Sequence, residues 1–357
     1  MRIALGMSGG VDSSLCAHLL KEQGHEVVGV FLECWRAPGC RAEEDRADAL
    51  KVALSLQIPF QVLDFKQAYK DKVVEYFFSE YKAGRTPNPD VLCNKEIKFG
   101  LFYDWAMANG FEAIATGHYA KTNAEGELLI PADIHKDQTY FLYLLRAEQL
   151  RHVVFPLAEM LKGSVREEAT KRGLHVAEKP DSTGICFIGD IDVHAFLKER
   201  LGENPGEIVD TKGRVLGSHK GLWFYTIGQR HGFEVDKKKA IELGYVDARS
   251  KDSFPVLYVV NKNTQNNQLI VGRGAETLAQ EFPITSIHWI DGKTPQNNPL
   301  LVRIRHTGDL LPCSLSTDGV IRLQQPVRGI AEGQSAVIYM SNRVGGTICL
   351  GGGIIAG

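Results

Sequence analysis

A glycine-containing segment near the amino terminus constrains the fold of this chain more than any other feature. It reads Gly6-Met7-Ser8-Gly9-Gly10-Val11-Asp12-Ser13-Ser14 and lies between the apolar run Ile3-Ala4-Leu5 and leucine and alanine residues spaced like the buried face of a helix. A strand, a glycine turn and a helix in this order direct backbone N–H groups towards an anion such as phosphate. Gly9 and Gly10 let the backbone approach that anion closely. Asp12 is expected either to cap the helix or to help hold a metal ion.

This segment differs from two common phosphate-binding motifs. It lacks the Gly-Lys-Ser/Thr of a Walker A sequence and does not match the Rossmann pattern Gly-x-Gly-x-x-Gly. The block Ser-Gly-Gly-Val-Asp-Ser-Ser resembles the PP-loop of the ATP pyrophosphatases, which split ATP into AMP and pyrophosphate. The alternative is a serine- and glycine-rich turn that only starts a helix.

Composition limits the protein class. With 357 residues, 44% hydrophobic and 24% charged, the chain is long enough for two or three domains. It contains no apolar run near the ~20 residues of a membrane span. It begins with a strand and a loop rather than a signal peptide, so we expect a cytoplasmic protein that does not bind a membrane. Seven irregularly spaced cysteines favour catalytic, metal-bound or buried thiols over a disulfide scaffold. A net charge of -2 argues against broad nucleic-acid binding but allows a local basic patch.

Hydrophobic periodicity predicts an α/β fold, a parallel helix-covered sheet, over the first ~120 residues. The predicted strands are residues 2–5, 26–32, 60–65 and 112–116, and the predicted helices are residues 12–23, 41–56, 66–81 and 94–109. Ligands of such sheets bind beyond the carboxyl ends of the strands. Thr116-Gly117-His118 should therefore reach the same crevice as Ser8 and Ser13.

The texture of the sequence changes after Gly202. Residues 165–172 and 192–201 are still helical in pattern, whereas the rest alternates turns with short β-branched runs at 207–209, 257–260, 268–271, 301–304 and 336–339. This pattern predicts one or two small all-β, barrel-like domains. We expect a catalytic domain at 1–202 with a helical extension, a β-rich domain at 203–274 and a β-barrel at 275–357.

Two cysteines are candidates for chemistry because of their surroundings. Cys93 follows a turn with two prolines, Pro87 and Pro89, and runs into a helix whose dipole should favour its thiolate. Asp90 would oppose that effect, but is a candidate proton acceptor. Cys186 has glycines on both sides, which permit a mobile reactive loop. The alternative for each cysteine is a small buried hydrophobe.

Longer blocks decide between these alternatives. They read GRTPNPDVLCNKEIKF, ATGHYAK, HKDQTYFL, KPDSTGICFIGD, GLWFYTIGQRHG and TICLGGGII. Together with the first loop they resemble the bacterial tRNA-specific 2-thiouridylases, in order, from residue 3 to the carboxyl terminus. The resemblance implies an adenine nucleotide α-hydrolase-like fold. It also implies an enzyme that uses ATP and Mg²⁺ to adenylate the C2 oxygen of the wobble uridine in the tRNA anticodon loop, and then replaces that oxygen with sulfur.

The resemblance also implies roles for individual residues. The ATP site would consist of Gly6, Met7, Ser8, Gly9, Gly10, Val11, Asp12, Ser13, Leu32 and Gly117. The flipped-out base would lie against Asn88, Pro89 and Asp90. Cys186 would carry the incoming sulfur as a persulfide, received from an upstream donor protein such as a cysteine desulfurase or a relay. Cys93 would complete the release of AMP and form a transient disulfide with Cys186. Contacts with tRNA would come from His118, Lys136, Asp137, Gln138 and Gln334.

The chain departs from the family pattern in places. Arg305-His306 stands where an Arg-Tyr pair is common, which puts a tRNA contact there in doubt. Glu33-Cys34-Trp35 replaces a basic and an aromatic residue. Cys34 and Cys40 are either half of a metal site or ordinary thiols, and no metal is expected. An iron–sulfur centre on Cys93, Cys186 and a third ligand is a further alternative.

Two other functions compete with thiolation. One is a PP-loop synthetase that forms an amide on a small molecule, and the other is a nucleotide-binding regulatory module without chemistry. Neither needs Cys186. If tRNA is the substrate, its affinity should come from a local patch formed by Lys136, Arg151, Lys162, Arg166, Lys171, Arg172 and the arginines of the β domains.

Overall fold

A computed structural model of the chain describes residues 1–36, 40–181, 184, 186, 188, 192–245, 256–295, 299–341 and 346–357. Its strands in chain order are β1 (Arg2–Gly6), β2 (Glu26–Glu33), β3 (Phe60–Asp64), β4 (Ala113–Ala115), β5 (Lys121–Thr122), β6 (Leu128–Leu129), β7 (Val153–Val154), β8 (Gly206–Asp210), β9 (Val215–His219), β10 (Glu234–Val235), β11 (Tyr258–Asn263), β12 (Gln268–Gly272), β13 (Leu278–Trp289), β14 (Leu300–Arg303), β15 (Leu311–Leu315), β16 (Val320–Arg328), β17 (Ser335–Ser341) and β18 (Thr347–Ile355).

The α-helices are α1 (Val11–Glu22), α2 (Ala42–Leu56), α3 (Lys66–Tyr69), α4 (Glu75–Lys82), α5 (Pro89–Leu92), α6 (Phe102–Ala108), α7 (Ala147–Leu150), α8 (Lys162–Lys171), α9 (Val193–Leu201) and α10 (Lys237–Glu242). Two π-helical segments make longer continuous helices: Lys70–Val74 joins α3 to α4, and Cys93–Leu101 joins α5 to α6. Short 3₁₀ turns lie at Thr139–Phe141, Leu222–Phe224 and Gly274–Thr277.

The first sheet is parallel, with the order β3-β2-β1-β4-β7. Alternate residues of the central strand β1 face opposite sides. Ala4 packs with Ile97 and Phe102 on one face, and Leu5 packs with Leu15 on the other. Helices therefore cover both faces, which is the arrangement in which parallel strands are normally stable. The predicted parallel, helix-covered sheet is confirmed, and the ends of the predicted strands differ by one residue or two.

One predicted helix starts earlier than expected. The predicted helix began at residue 94, after the turn with two prolines, but α5 begins at Pro89, with Asn88 as its N-cap residue. Proline is tolerated at the first helical position because the N–H that it lacks would have no partner inside the helix. Cys93 therefore lies one turn inside a helix rather than at its start.

Two β units follow the first domain. The sheet β10-β9-β8-β12-β11 is antiparallel except for the parallel pair β8 and β12. The strands β13-β16-β15-β14-β17-β18 close into a barrel through pairing of β13 with β18. Both units were expected from their short strands and turns.

The hairpin β5–β6 was not predicted. It belongs to the first domain in sequence but extends the barrel sheet, because Leu128 pairs with Cys349 of β18. The barrel is thus hydrogen-bonded directly to the catalytic domain. In the described part of the chain, none of the helices is both long enough and apolar enough to span a bilayer.

Candidate active site

The glycine segment forms a tight turn between β1 and α1. Gly10 is the N-cap residue of α1, and no side chain caps the free N–H groups of the first helical turn. The Ser13 hydroxyl accepts a hydrogen bond from the Ser8 N–H at 3.1 Å, which holds the turn closed. Uncapped N–H groups at a helix amino terminus attract an anion. The turn therefore has the geometry of a phosphate site.

Gly9 is required by its backbone conformation and by its neighbours. Its φ is +76°, and an added Cβ would lie 2.1 Å from the carbonyl oxygen of Asp45 in α2. Lys179 fixes the same turn from outside, since its Nζ donates to the carbonyl oxygen of Gly9 at 2.9 Å and to the carboxylate of Asp48 at 2.7 Å. The loop is thus preformed by contacts from α2 and from the segment that precedes Cys186.

Asp12 does not cap α1, contrary to one of the two expectations for it. Its Oδ1 accepts a hydrogen bond from the Tyr119 hydroxyl at 2.9 Å, and Lys162 Nζ contacts both of its oxygens, at 2.7 and 2.8 Å. Lys162 also contacts Asp181 at 2.9 Å, so it bridges the phosphate loop to the segment before Cys186. A carboxylate beside the loop remains a suitable single ligand for Mg²⁺, which usually takes one or two protein carboxylates and the rest from phosphates and water.

Three positively charged side chains contact Asp181 at the opening of this site. Lys136 Nζ lies 2.8 Å from it, Lys162 Nζ 2.9 Å and Arg166 Nη2 2.7 Å. Burial would raise the pKa of Asp181, but the hydrogen bonds from Lys136 and Lys162 outweigh this and lower it to about 2. These three cations were predicted as part of a tRNA patch, and the structure pairs them with a carboxylate of the chain.

The turn after β4 contacts the phosphate loop, as its position in the sheet predicted. A Cβ on Gly117 would lie 3.0 Å from the backbone nitrogen of Ser13. Leu32 lies two residues beyond Val30, which pairs with Gly6 in the neighbouring strand. Met7, Val11, Ser13 and Leu32 are buried, so a nucleotide would meet the loop mainly through its backbone. These residues fit a nucleotide, and the assignment remains a prediction.

Cys93 and Cys186 lie together although 93 residues separate them in sequence. The Cys93 thiol donates a hydrogen bond to the Cys186 sulfur at 3.3 Å, and both cysteines are free thiols. Asp90 holds the second cysteine in place, since its Oδ1 accepts from the Cys186 N–H at 2.9 Å. The Tyr69 hydroxyl donates to the Cys186 carbonyl oxygen at 2.5 Å. A disulfide needs a sulfur separation of about 2.05 Å, so the two sulfurs are close enough for Cys93 to attack a sulfur atom bonded to Cys186 after a small approach. Gly189, one of the two glycines expected to free this loop, lies outside the described residues.

The two thiols differ in acidity, in the opposite sense to the prediction for Cys93. Burial raises the pKa of the Cys93 thiol, because its side chain is inaccessible to water, and the hydrogen bond that it makes with Cys186 adds to this effect. The hydrogen bond from Cys93 lowers the pKa of Cys186; burial opposes this, and the nearby positive charge of Lys98 adds to it. Cys186 is therefore the more acidic thiol of the pair. Burial also raises the pKa of Asp90, and its role as a proton acceptor stays a prediction.

The loop before Asn88 is held by all three domains. Gln334 of the barrel donates through Nε2 to the carbonyl oxygens of Thr86 at 3.0 Å and Pro87 at 3.2 Å. From the middle domain, Lys262 Nζ donates to the Gly84 carbonyl oxygen at 2.8 Å. Gln334 was predicted to touch tRNA. The structure places its amide against the loop that leads into Asn88, Pro89 and Asp90.

His118 lies between the two centres. Its Nδ1 pairs with the Thr116 hydroxyl at 2.8 Å, and its ring packs 5.6 Å from that of Phe99 in the helix of Cys93. Burial, and then the charge of Lys98, keep its pKa well below the usual value, so the ring is neutral. This matches the alternative of a histidine satisfied in the mouth of the sheet, while its contact with tRNA stays a prediction.

The remaining predicted tRNA contacts are divided between internal and exposed positions. Asp137 is buried in an ion pair with Arg303 at 2.6 Å, and Gln138 accepts from the Tyr119 N–H at 2.9 Å. Arg305 is exposed, whereas the ring of His306 packs 4.3 Å from that of Phe141. Arg305 therefore remains available to a partner, and Asp137 is engaged within the protein.

Among the described residues, no group of three or more His, Cys, Asp or Glu side chains is arranged to hold a metal ion. Cys34 is buried, and burial raises its pKa. Cys40 is partly exposed and shows no metal partner in the described part of the chain.

Comparisons with known proteins agree with this geometry. Family models described as tRNA methyl transferase HUP domain, tRNA methyl transferase PRC-barrel domain and Aminomethyltransferase beta-barrel domain match residues 1–190, 194–273 and 279–355. The tRNA-specific 2-thiouridylase MnmA of Listeria monocytogenes serovar 1/2a is 44% identical over 99% of this chain and 94% of its own length. The MnmA of Bordetella avium is 42% identical over 99% and 97%. The chain belongs to the tRNA-specific 2-thiouridylase family.

Structural similarity to solved proteins is more distant than this family relationship. The U34-tRNA thiolase NcsA from Methanococcus maripaludis, solved with its [4Fe-4S] cluster, shares 19% identity at a TM-score of 0.36, over 52% of this chain and 61% of that one. Membership of the 2-thiouridylase family rests on the sequence relatives.

Sequence reasoning missed several residues of the 2-thiouridylase site. Lys98 and Tyr69 contact the thiol centre, while Lys179 and Asp181 organise the phosphate loop. Lys98 lies within a block that already marked the family, so its spacing from Cys93 was an available signal. Lys179 and Asp181 lie in the block KPDSTGICFIGD, which marked the family in the same way. Tyr69 carries no local signal, because only the tertiary fold brings it to the site.

Proposed function

We propose that this protein replaces the C2 oxygen of the wobble uridine of tRNA with sulfur, in a reaction that consumes ATP and passes sulfur through a persulfide on Cys186. The 3.3 Å pairing of Cys186 with Cys93 is the observation that carries the proposal. The Cys186 thiol can carry the sulfur, and the Cys93 thiol can break the bond between Cys186 and that sulfur after transfer. The relatives named above are described as tRNA-specific 2-thiouridylases, which supports the same chemistry.

The nucleotide would bind at the loop between β1 and α1. ATP supplies the AMP group that turns the C2 oxygen into a good leaving group. Backbone N–H groups around Gly9 would hold its phosphates, and Asp12 would be the single protein carboxylate for Mg²⁺. Gly117, which contacts Ser13, would keep space open above the helix amino terminus.

The base would be bound between the thiols and the loop held by Gln334. A base stacked in the anticodon loop must be flipped out before its ring can be reached, so a shaped pocket is required. Asn88 and Pro89 begin α5, and Asp90 bonds the Cys186 backbone. Contacts with the base at these three positions would therefore place its C2 atom near Cys186.

Two partners belong to this proposal. The first is tRNA, for which Arg151 and Arg305 offer exposed positive charge, whereas Lys136, Lys162 and Arg166 contact Asp181. The second is a protein persulfide that delivers sulfur to Cys186. The proposal also includes a cytoplasmic location for the protein. It divides the chain into three domains, at residues 1–202, 203–274 and 275–357.

Replacing Cys186 tests this function directly. With Cys186→Ser, ATP, Mg²⁺ and tRNA should still give pyrophosphate, whereas 2-thiouridine should fall below detection by mass spectrometry of the digested tRNA. Cys313→Ser removes a thiol from the barrel and is the matched control, with both products retained.

Three results would contradict the proposal. Unchanged 2-thiouridine in Cys186→Ser would remove the persulfide role. Pyrophosphate release without tRNA, on a small amine substrate, would favour the amide synthetase. An added methyl group on the RNA in place of the oxygen-to-sulfur exchange would indicate methyl transfer.

A further inference from the structure

Lys98 lies on the same helix as Cys93, five residues further along the chain. In an α-helix each residue turns by about 100°, so residues five apart point about 140° away from each other. The segment Cys93–Leu101 is π-helical, with hydrogen bonds between residues five apart. This wider turn brings Lys98 round to the face that carries Cys93. The same geometry leaves no room for a side chain at Gly100, where a Cβ would lie 2.7 Å from the Lys95 carbonyl oxygen.

The Lys98 side chain contacts the second thiol as well. It donates a hydrogen bond to the Cys186 sulfur, and the Cys93 thiol donates to that sulfur at 3.3 Å. The Cys186 backbone is fixed on both sides, by Asp90 through its N–H and by Tyr69 through its carbonyl oxygen. Two donors therefore converge on one sulfur whose position is already set.

The titratable groups that act on this sulfur lie on several elements of the fold. The described titratable groups that act on the thiol centre are Cys93, Lys98, Asp90, Tyr69 and Cys34. Asp90, Tyr69 and the other thiols are neutral or negative, whereas Lys98 is positive. Burial would lower the pKa of Lys98, but Cys186, Cys93 and Asp90 outweigh it and raise the pKa, so the ammonium stays charged.

We propose that Lys98 is a catalytic residue of this site, the cation that keeps the reacting sulfur on Cys186 anionic, and that the π-helical turn places it there. The inference rests on the proposed function, since it assumes that Cys186 accepts sulfur. A buried thiolate without a cation would take up a proton and lose its nucleophilicity. The Lys98 ammonium offers three N–H donors and can follow the charge from the Cys186 sulfur to the outer sulfur of a persulfide.

The sulfur-loading step balances without an oxidant. The Cys186 thiolate attacks the outer sulfur of a donor persulfide, forming one S–S bond as the donor S–S bond breaks. The donor leaves as a thiolate, and this thiolate takes up the proton of the transferred sulfur, because the new persulfide on Cys186 is the more acidic group. Lys98 keeps all of its protons and acts through its charge and hydrogen bond.

The test measures the reactivity of Cys186 alone. Full-length protein carrying Cys93→Ser would be alkylated with iodoacetamide across a range of pH, and the rate at Cys186 would be read by peptide mass spectrometry. Adding Lys98→Met should move the midpoint of the rate profile upward by about one pH unit, a roughly tenfold slower reaction at neutral pH. Lys98→Arg should restore most of the rate, because it restores the charge. An unchanged profile in Lys98→Met would overturn the inference.

A second variant protects the test against misfolding. Lys98→Gln keeps a polar N–H donor without the charge, on a side chain one atom shorter, and circular dichroism reports whether the variant folds. If charge is the cause, the glutamine and methionine variants share one profile. A glutamine profile equal to that of lysine would refute a role for charge.

The alkylation assay needs no ATP, tRNA or sulfur donor, so its result does not depend on whether the protein thiolates tRNA. Normal thiolation by the unaltered protein together with an unshifted Lys98→Met profile would refute only the Lys98 role. Absence of 2-thiouridine from the unaltered protein would refute the function and, with it, the catalytic role of Lys98.

Discussion

The phosphate loop and the thiol pair lie on either side of His118, yet they manage charge in different ways. At the loop, cations and carboxylates are partly exposed and neutralise one another, as Lys162 does between Asp12 and Asp181. At the thiols, Cys93 is buried, and Asp90, Lys98 and Cys186 are half-buried. Lys98 faces sulfur and carboxyl groups that are costly to ionise. The cations at the phosphate loop can exchange their carboxylate partners for an incoming anion. The groups around the thiols instead hold the positive charge of Lys98 at a fixed position. The loop is therefore suited to binding an anion, and the thiol pocket is suited to a reaction at sulfur.

The largest expected effect concerns the shape of the phosphate loop. In Gly9→Ala the new Cβ would overlap the Asp45 carbonyl, 2.1 Å away, at a φ that alanine rarely adopts. We expect more than a hundredfold loss of tRNA-dependent pyrophosphate release, measured with the purified variant.

Gly24→Ala is the matched control for this loop variant. Gly24 also has a positive φ, of +81°, but nothing lies within 4 Å of its added Cβ. Gly24→Ala should lower the free energy of unfolding by about 1 kcal/mol and leave pyrophosphate release unchanged. Equal losses in both variants would mean that backbone strain, and not the loop contact, is responsible.

A smaller effect is expected from removing the bridging cation. Lys162→Met would leave the Asp12 carboxylate without its cation, whereas Asp181 keeps two others. An incoming phosphate would then meet the uncompensated charge of Asp12. We expect ATP affinity to fall by about tenfold to a hundredfold, in keeping with the cost of losing a charged hydrogen bond. Equilibrium titration with a non-hydrolysable nucleotide would measure it.

The same variant sharpens the comparison between the two sites. If they are electrostatically separate, the alkylation profile of Cys186 should be the same in Lys162→Met as in the unaltered protein. Lys121→Met, which removes an exposed ion pair with Glu159, is the control and should leave both nucleotide affinity and thiol reactivity in place. A shifted Cys186 profile would contradict separate sites.

The smallest effect concerns acid stability. The folded-state pKa of Asp181 lies at about 2, below its unfolded value, so the ion pairs stabilise the folded protein above about pH 4. That contribution should disappear as the pH falls from about 4 to about 2. After allowance for solvent screening it is about 1 kcal/mol. Thermal unfolding should therefore separate the unaltered protein from Asp181→Asn at pH 5, with a gap that narrows on acidification. A constant gap would disprove the linkage.

The phosphate loop was largely readable from sequence, whereas the thiol centre was readable only in part. Residues 6–14 are contiguous, and a strand–turn–helix of this composition has few other geometries. Cys93 and Cys186 were recognised by their blocks, but their contact depends on a tertiary fold that brings two sulfurs from distant parts of the chain to 3.3 Å. Spacing gave no information on which thiol is the more acidic, because burial depends on the neighbours of each side chain.

Local sequence by itself determined the parallel sheet, the anion-binding turn and the β-rich character of the later domains, since periodicity and glycine placement act over a few residues. Tertiary structure decided that Asp181 gathers the cations, that the β5–β6 hairpin joins the barrel and that Gln334 supports the loop before Asn88. It also decided that Lys98 faces the Cys186 sulfur. The physical reason is that charge interactions and burial depend on distances in space, which chain-distant residues acquire only when the fold brings them together.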